Sequence, residues 1–101
     1  MATVRSHTLQ HQGRMAILQV CLAKIKTRGR LGIEALADAT AGYSGAELAA
    51  VCREAGLQAI CQGLERGLAP HRVFVCHQDL TRALTALKSK RLHLEAVLGG
   101  D

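Results

Sequence analysis

The chain has 101 residues, a formal net charge of +5 and an apolar fraction of 49%. This length limits it to one small domain. With one Phe, one Tyr and no Trp, the core must be built from Leu, Ala, Ile, Val and Cys, and a single Pro leaves long helical runs uninterrupted. The composition therefore predicts an all-α domain.

Cysteine spacing and hydropathy argue against several classes of protein. The four cysteines, Cys21, Cys52, Cys61 and Cys76, are irregularly spaced and form no CxxC pair. This spacing argues against a structural zinc site, and we expect no metal bound by this chain. No signal peptide and no apolar run long enough to span a bilayer is visible, so we expect a cytoplasmic or nuclear chain with reduced thiols and no membrane contact.

The first third of the chain predicts two helices. Residues 1–12 are polar and lack periodicity, so we expect a flexible N-terminal segment. A first helix is predicted over residues 13–26, and a short second helix over residues 33–39, with Gly32 at its N-cap. The apolar face of the first helix comprises Ile17, Leu18, Cys21, Leu22 and Ile25.

The central stretch TAGYSGAELAAVCREAGLQAI carries the strongest local signal. Gly42 and Gly45 permit a sharp turn, and Ser44 followed by Glu47 has the spacing of a capping box. A long helix is therefore predicted over residues 45–66. Its apolar stripe comprises Leu48, Val51, Cys52, Ala55, Ala59 and Ile60.

Small residues on the long helix carry further expectations. Cys52 and Cys61 lie on or beside the apolar stripe, so both are expected to be small core residues. Gly56 is expected to let a neighbouring helix approach, and Gly63 to mark fraying.

The last third predicts a short extended piece and a final helix. Residues 73–75 are extended but too short for an independent sheet, and a helix is predicted over residues 77–88. Cys76 is a poor helix cap, so Asp79 in the first turn must help by its charge. Residues 91–101 form a tail. The inward side chains of the final helix are predicted to be Leu80, Ala83, Leu84 and Leu87.

Several of these motifs resemble one family. The sequence GYSGAEL followed by CREAGLQAI is similar to the long helix of the small C-terminal lid domain of classical AAA ATPases, in the Cdc48/valosin-containing or Afg2-like, spermatogenesis-associated branch. The lid's opening helix resembles RMAIL, and its short second helix resembles IEALA. Its last helix resembles DL followed by AL. The resemblance covers residues 13–88. It implies a small four-helix lid-type bundle over residues 13–90, with at most one very short extended segment.

The resemblance also implies a nucleotide site shared with a second domain. In the family the lid closes over the adenine and ribose of ATP or ADP, and the backbone of its long-helix turn, here Gly45 and Ala46, approaches the base. Cys21 stands where this branch often has a His near the adenine. The implied partners are a large AAA nucleotide-binding domain, in cis or in trans, which would precede residue 14, and neighbouring subunits of a hexamer.

Catalytic motifs of a complete ATPase are missing from the sequence. No GxxxxGK[ST] loop, no acidic pair after an apolar strand and no arginine-finger context is present, so this chain is not expected to hydrolyse ATP alone. His7 and His11, four residues apart, are expected to be solvated rather than metal-binding.

Two alternatives stay open beside the lid module. The first is an autonomous basic helical module that binds protein or nucleic acid, since Lys24, Lys26, Arg28 and Arg30 cluster and a second cluster surrounds residues 88–91. No aromatic residue is interleaved with these charges, which argues against nucleic acid. The second is a truncated product with no activity of its own.

Overall fold

The computed structural model describes residues 10–94, with side chains to residue 90, and within this range the chain forms four α-helices. They are α1 (His11–Leu22), α2 (Ile33–Ala39), α3 (Gly45–Glu65) and α4 (His77–Leu94), with a 3-10 turn at Pro70–Arg72. The central helix, α3, packs against both α1 and α4, and α1 also packs against α2. The predicted all-α fold of four helices is confirmed.

The helix ends differ from the predicted bounds at three places. Residues 1–9 of the expected flexible segment lie outside the described residues, whereas His11 and Gln12 belong to α1. The first helix ends at Leu22 rather than near residue 26. The last helix continues to Leu94, through the first four residues of the expected tail, and residues 95–101 lie outside the described part.

The inward face of α3 forms the centre of the core. Leu48, Val51 and Ala55 are at most 1% exposed, and the predicted stripe is confirmed through Ala59. Ile60 was wrongly placed on it, because neighbouring residues of an α-helix point about 100° apart and Ala59 already faces inward. Cys52 is buried as expected, but Cys61 is exposed, so its assignment to the core was wrong.

Two backbone hydrogen bonds join the segment after α1 to the segment before α4. Arg28 N–H donates to the Val75 carbonyl at 2.9 Å, and Val75 N–H donates to the Lys26 carbonyl at 2.8 Å. These bonds form an isolated parallel bridge between Thr27 and Val75. The bridge explains why α1 ends early, since the backbone of residues 26–28 is extended rather than helical. It also accounts for the single short extended piece that was predicted.

A buried arginine fixes α1 against α2. Arg14 is 7% exposed, and its Nε donates to the Ala37 carbonyl at 2.9 Å near the end of α2. A guanidinium group is rarely buried without hydrogen-bond partners, because desolvating its charge is costly. Thr40 closes the same end of α2, where its Oγ1 donates to the Leu36 carbonyl at 2.9 Å.

Asp79 supports the start of α4 by a hydrogen bond. Its Oδ2 accepts from the Cys76 N–H at 2.9 Å, so the carboxylate supplies the contact that the cysteine side chain does not. His77 contributes a second link, because its Nδ1 accepts from the Gly32 N–H at 3.1 Å. The start of α4 is thereby connected to the residue that precedes α2.

The two glycines inside α3 have roles opposite to those expected. Nothing lies within 4 Å of the position that a Cβ would take at Gly56. Gly63 is buried, and a Cβ there would lie 2.5 Å from Cγ2 of Val73. Gly63 therefore permits the close approach of the segment after α3, whereas Gly56 faces open space.

Replacing each glycine by alanine should have opposite effects on stability. Gly63→Ala is expected to lower the free energy of unfolding by about 1–3 kcal/mol, since the new methyl group clashes with Val73. Gly56→Ala should raise it by about 0.5–1 kcal/mol through helix propensity alone. Urea unfolding followed by circular dichroism measures both. Adding Val73→Ala to Gly63→Ala should restore part of the loss, and equal stability of the two single variants would contradict this packing.

Candidate functional site

The turn before α3 has the geometry that its sequence predicts. Ser44 is the N-cap; its Oγ accepts from the Glu47 N–H at 3.2 Å, and Glu47 Oε1 accepts from the Ser44 N–H at 2.8 Å. The capping box is therefore confirmed. Gly42 has a φ of +86°, which favours glycine, whereas no such angle occurs at Gly45. The turn thus needs a glycine at position 42 for its backbone conformation.

Gly45 and Ala46 present backbone amides at the start of α3. The first backbone bond of this helix runs from the Leu48 N–H to the Ser44 carbonyl at 3.0 Å, so the amides of Gly45 and Ala46 have no intrahelical acceptor. Ala46 is exposed and Gly45 is half-buried. On the side facing α1, a Cβ at Gly45 would lie 3.8 Å from Cδ1 of Ile17. The backbone at the start of α3 is therefore not covered by a large side chain of either residue.

Cys21 lies farther along the contact between α1 and α3. It lies close enough to Cys52 to raise the pKa of that thiol, and Cys52 is seven residues beyond Gly45, about 10 Å along the helix axis. The structure therefore brings the three candidate residues to one helix pair. Gly45 and Ala46 lie together at the turn, and Cys21 lies about two helical turns beyond them.

Burial makes Cys52 a poor nucleophile. Desolvation by burial and, to a lesser extent, the adjacent Cys21 together raise the pKa of its thiol from 9.0 to about 12. Only the thiolate attacks electrophiles or binds metals, so Cys52 acts as a small apolar core residue at neutral pH.

Histidines do not assemble a metal site in the described part of the chain. His11 Nε2 lies 2.8 Å from Asp38 Oδ1, which pairs it with a carboxylate on α2, while His7 lies outside the described residues. Over the residues with described side chains, no group of three His, Cys, Asp or Glu residues is placed to hold a metal ion. No helix within residues 10–94 is long and apolar enough to cross a membrane.

Sequence reasoning missed a second feature at the other end of α3. Four arginines from four different segments surround one cavity of about 300 Å³, which we call the arginine cavity. They are Arg28, Arg66, Arg72 and Arg82. No local pattern could have revealed this cluster, because the Thr27–Val75 bridge and the turn after α3 bring its members together.

Comparison with known proteins identifies relatives for most of the chain. A family profile described as AAA+ lid domain matches residues 32–67. The proteasome-activating nucleotidase of Sulfurisphaera tokodaii is 39% identical over 79 residues, which are 78% of this chain and 18% of that protein. The cell division cycle protein 48 homolog of Archaeoglobus fulgidus is 36% identical over 85 residues, which cover 79% of this chain and 11% of that protein.

A mammalian relative matches a shorter part of the chain. The ATPase family gene 2 protein homolog B of Bos taurus is 49% identical over 47 residues, 46% of this chain and 6% of that protein. The chain thus spans a fifth or less of the length of these curated relatives.

The capping box should contribute measurably to stability. Ser44→Ala removes the acceptor for the Glu47 N–H and is expected to lower the free energy of unfolding by about 1 kcal/mol. Ser44→Asp, which keeps an acceptor, should retain most of the stability that the cap contributes. Ser89→Ala, at an exposed position in α4, serves as the control and should change stability by less than about 0.5 kcal/mol. Urea unfolding would contradict the capping role if Ser44→Ala and Ser89→Ala were equally stable.

Cys52 should make the protein less stable at high pH. Its pKa is raised in the folded state, so its contribution is fully present below about pH 9 and is lost as the pH rises towards 12. Above pH 9 the loss should reach about 1.4 kcal/mol per pH unit. Cys52→Ala should remove this part of the pH dependence of urea unfolding, and Cys61→Ala, at an exposed position, should leave it unchanged. Equal pH profiles for wild type and Cys52→Ala would contradict the assignment.

Proposed function

Because this chain belongs to the AAA+ lid domain family, we propose that it is the lid module of an ATP-driven AAA protein-remodelling ATPase. In this role it contacts the adenine nucleotide, packs against other subunits and moves with the nucleotide state. The observation that carries the proposal is the capped turn before α3, where Gly45 and Ala46 offer two amides without intrahelical acceptors.

The turn fits the adenine and ribose of ATP or ADP better than their phosphates. Ala46 and Gly45 have no charged side chain, so they suit a flat heterocycle that hydrogen-bonds with the backbone. The partner large domain supplies the phosphate-binding loop and the magnesium site, and the nucleotide lies between the two domains. Relatives whose names record nucleotidase or ATPase identity support a nucleotide as the ligand.

The links within the domain support movement as one unit. Arg14 joins α1 to the end of α2, and the Thr27–Val75 bridge joins the segments that flank α1 and α4. A change of contacts at the turn would therefore reorient all four helices together. ATP would favour one orientation of this domain relative to the large domain because ATP binds that orientation more tightly. Hydrolysis would release the domain from that orientation.

Exposed apolar side chains offer surfaces for other subunits. Val20 is 57% exposed, Leu57 is 56% exposed and Leu64 is 54% exposed. Large apolar side chains gain free energy when a partner covers them. The large domain, in cis or in trans, and the neighbouring subunit of a hexamer would cover such surfaces.

Grafting this chain into a relative tests the nucleotide contact. The matched region of the Sulfurisphaera tokodaii nucleotidase is replaced by the corresponding part of this chain, and nucleotidase activity is compared with that of a version lacking the region. The graft should restore activity. Ala46→Glu should then raise the KM for ATP by roughly fivefold, because a like charge near the nucleotide costs on the order of 1 kcal/mol at a partly exposed site.

Ala35→Glu is the matched control for this experiment. Ala35 is also an exposed alanine in the first turn of a helix, where glutamate is tolerated by the helix dipole. It should leave the KM within about twofold of the unmodified graft. Equal KM values for the two glutamate variants, or a graft no more active than the version without a lid, would contradict the proposed nucleotide contact.

A further inference from the structure

The arginine cavity lies at the end of α3 remote from the Gly45–Ala46 turn. Its lining on α3 begins at Ala59 and continues to the C-cap Arg66, so about 20 Å of helix separates it from the turn. Arg28 lies in the loop after α1, Arg72 in the 3-10 turn and Arg82 on α4. All four arginines are exposed, which places four guanidinium groups around one opening.

Positive charge dominates the lining of this cavity. Among its lining residues the one carboxylate is that of Asp79, which is 6% exposed. Its Oδ2 already accepts from the Cys76 N–H at 2.9 Å, and its Oδ1 lies 3.9 Å from Nη1 of Arg82. One carboxylate engaged in this way cannot neutralise four guanidinium groups. An anionic ligand would relieve the remaining repulsion and would be attracted from solution.

Apolar side chains lie beside these charges. Phe74 is 44% exposed and Leu68 is 38% exposed, and both line the cavity. The guanidinium carbon of Arg28 lies 5.7 Å from the centre of the Phe74 ring, which keeps this charge on the apolar side of the opening. A bare phosphate ion would leave both apolar side chains in water, whereas a peptide with alternating acidic and apolar residues would contact both surfaces.

The size and composition of the cavity also favour a peptide. A volume of about 300 Å³ is at the lower end for ligand sites and can hold a few side chains. Guanidinium groups match carboxylates with two parallel hydrogen bonds. Phe74 is the one aromatic ring of the lining, so successive nucleic-acid bases would find no row of stacking partners.

We propose that the arginine cavity docks an acidic, leucine-containing peptide segment of a partner protein. Glutamate or aspartate carboxylates pair with the guanidinium groups, and apolar side chains of the segment cover Phe74 and Leu68. This contact is independent of the nucleotide-facing turn, since it lies at the opposite end of α3.

Fluorescence anisotropy with a labelled peptide of alternating glutamate and leucine tests the proposal on the whole 101-residue chain. At an ionic strength of about 0.15 M the peptide should bind, and its affinity should fall as salt is added. Replacing its glutamates by glutamine, or its leucines by serine, should each weaken binding. The double variant Arg66→Gln/Arg72→Gln should bind about tenfold more weakly than wild type, since two exposed ion pairs are lost.

Lys88→Gln/Lys90→Gln is the matched control, because it removes the same charge from exposed positions of α4 outside the cavity. It should weaken binding by less than about twofold. All four substituted residues are exposed, and circular dichroism should show unchanged helix content in both double variants. If the two double variants lost affinity to the same extent, the loss of net charge alone would account for the effect, and the proposal would be overturned.

Three further results would also overturn it. The first is that the glutamate–leucine peptide does not bind wild type. The second is that sodium pyrophosphate displaces the peptide at lower concentrations than the unlabelled peptide does, which would make the cavity a phosphate site. The third is that a short single-stranded oligonucleotide displaces the peptide at lower concentrations than the unlabelled peptide does, which would make the cavity a nucleic-acid site.

Discussion

The long helix α3 depends on the burial of its inward face, and this requirement places the other elements. Leu48 and Val51 are no more than 1% exposed between α1 and α4. Most helical stability in proteins comes from such packing rather than from propensity. The small inward residues near the end of α3 let neighbours approach, and the contact of Gly63 with Val73 holds the segment after α3 against the helix. One wall of the arginine cavity therefore depends on the same packed face.

The features that could be predicted from sequence depend on residues close together in the chain. A capping box needs only Ser44 and Glu47, three positions apart, and an amphipathic stripe needs only helical periodicity. Both were therefore predictable, as was the all-α fold. For the same reason the candidate turn at Gly45 and Ala46 could be located before its geometry was known. Its nucleotide contact stays a prediction, because that contact requires a second domain.

Contacts between distant segments could not be predicted in this way. Arg14 and Ala37 are 23 positions apart, and no periodicity relates a guanidinium group on one helix to a carbonyl group on another. The same holds for Gly63, whose sequence suggested a weak helix end but whose lack of a side chain accommodates Val73. Ile60 shows that prediction is limited even within one helix. The spacing of apolar residues defines a broad stripe but does not show which edge of that stripe the other helices bury.

The two ends of α3 differ chemically because the ends of a helix differ. Its N-terminus exposes amide hydrogens, so neutral residues such as Gly45 and Ala46 suffice to attract acceptor atoms. The partial negative charge of the helix dipole at its C-terminus favours a cation such as Arg66 at the C-cap. The start of α4 also lines this cavity, and the positive end of its helix dipole repels the arginines. Asp79 offsets that end by accepting from the Cys76 N–H, so its charge is committed to the helix and the guanidinium groups keep their attraction for an anion.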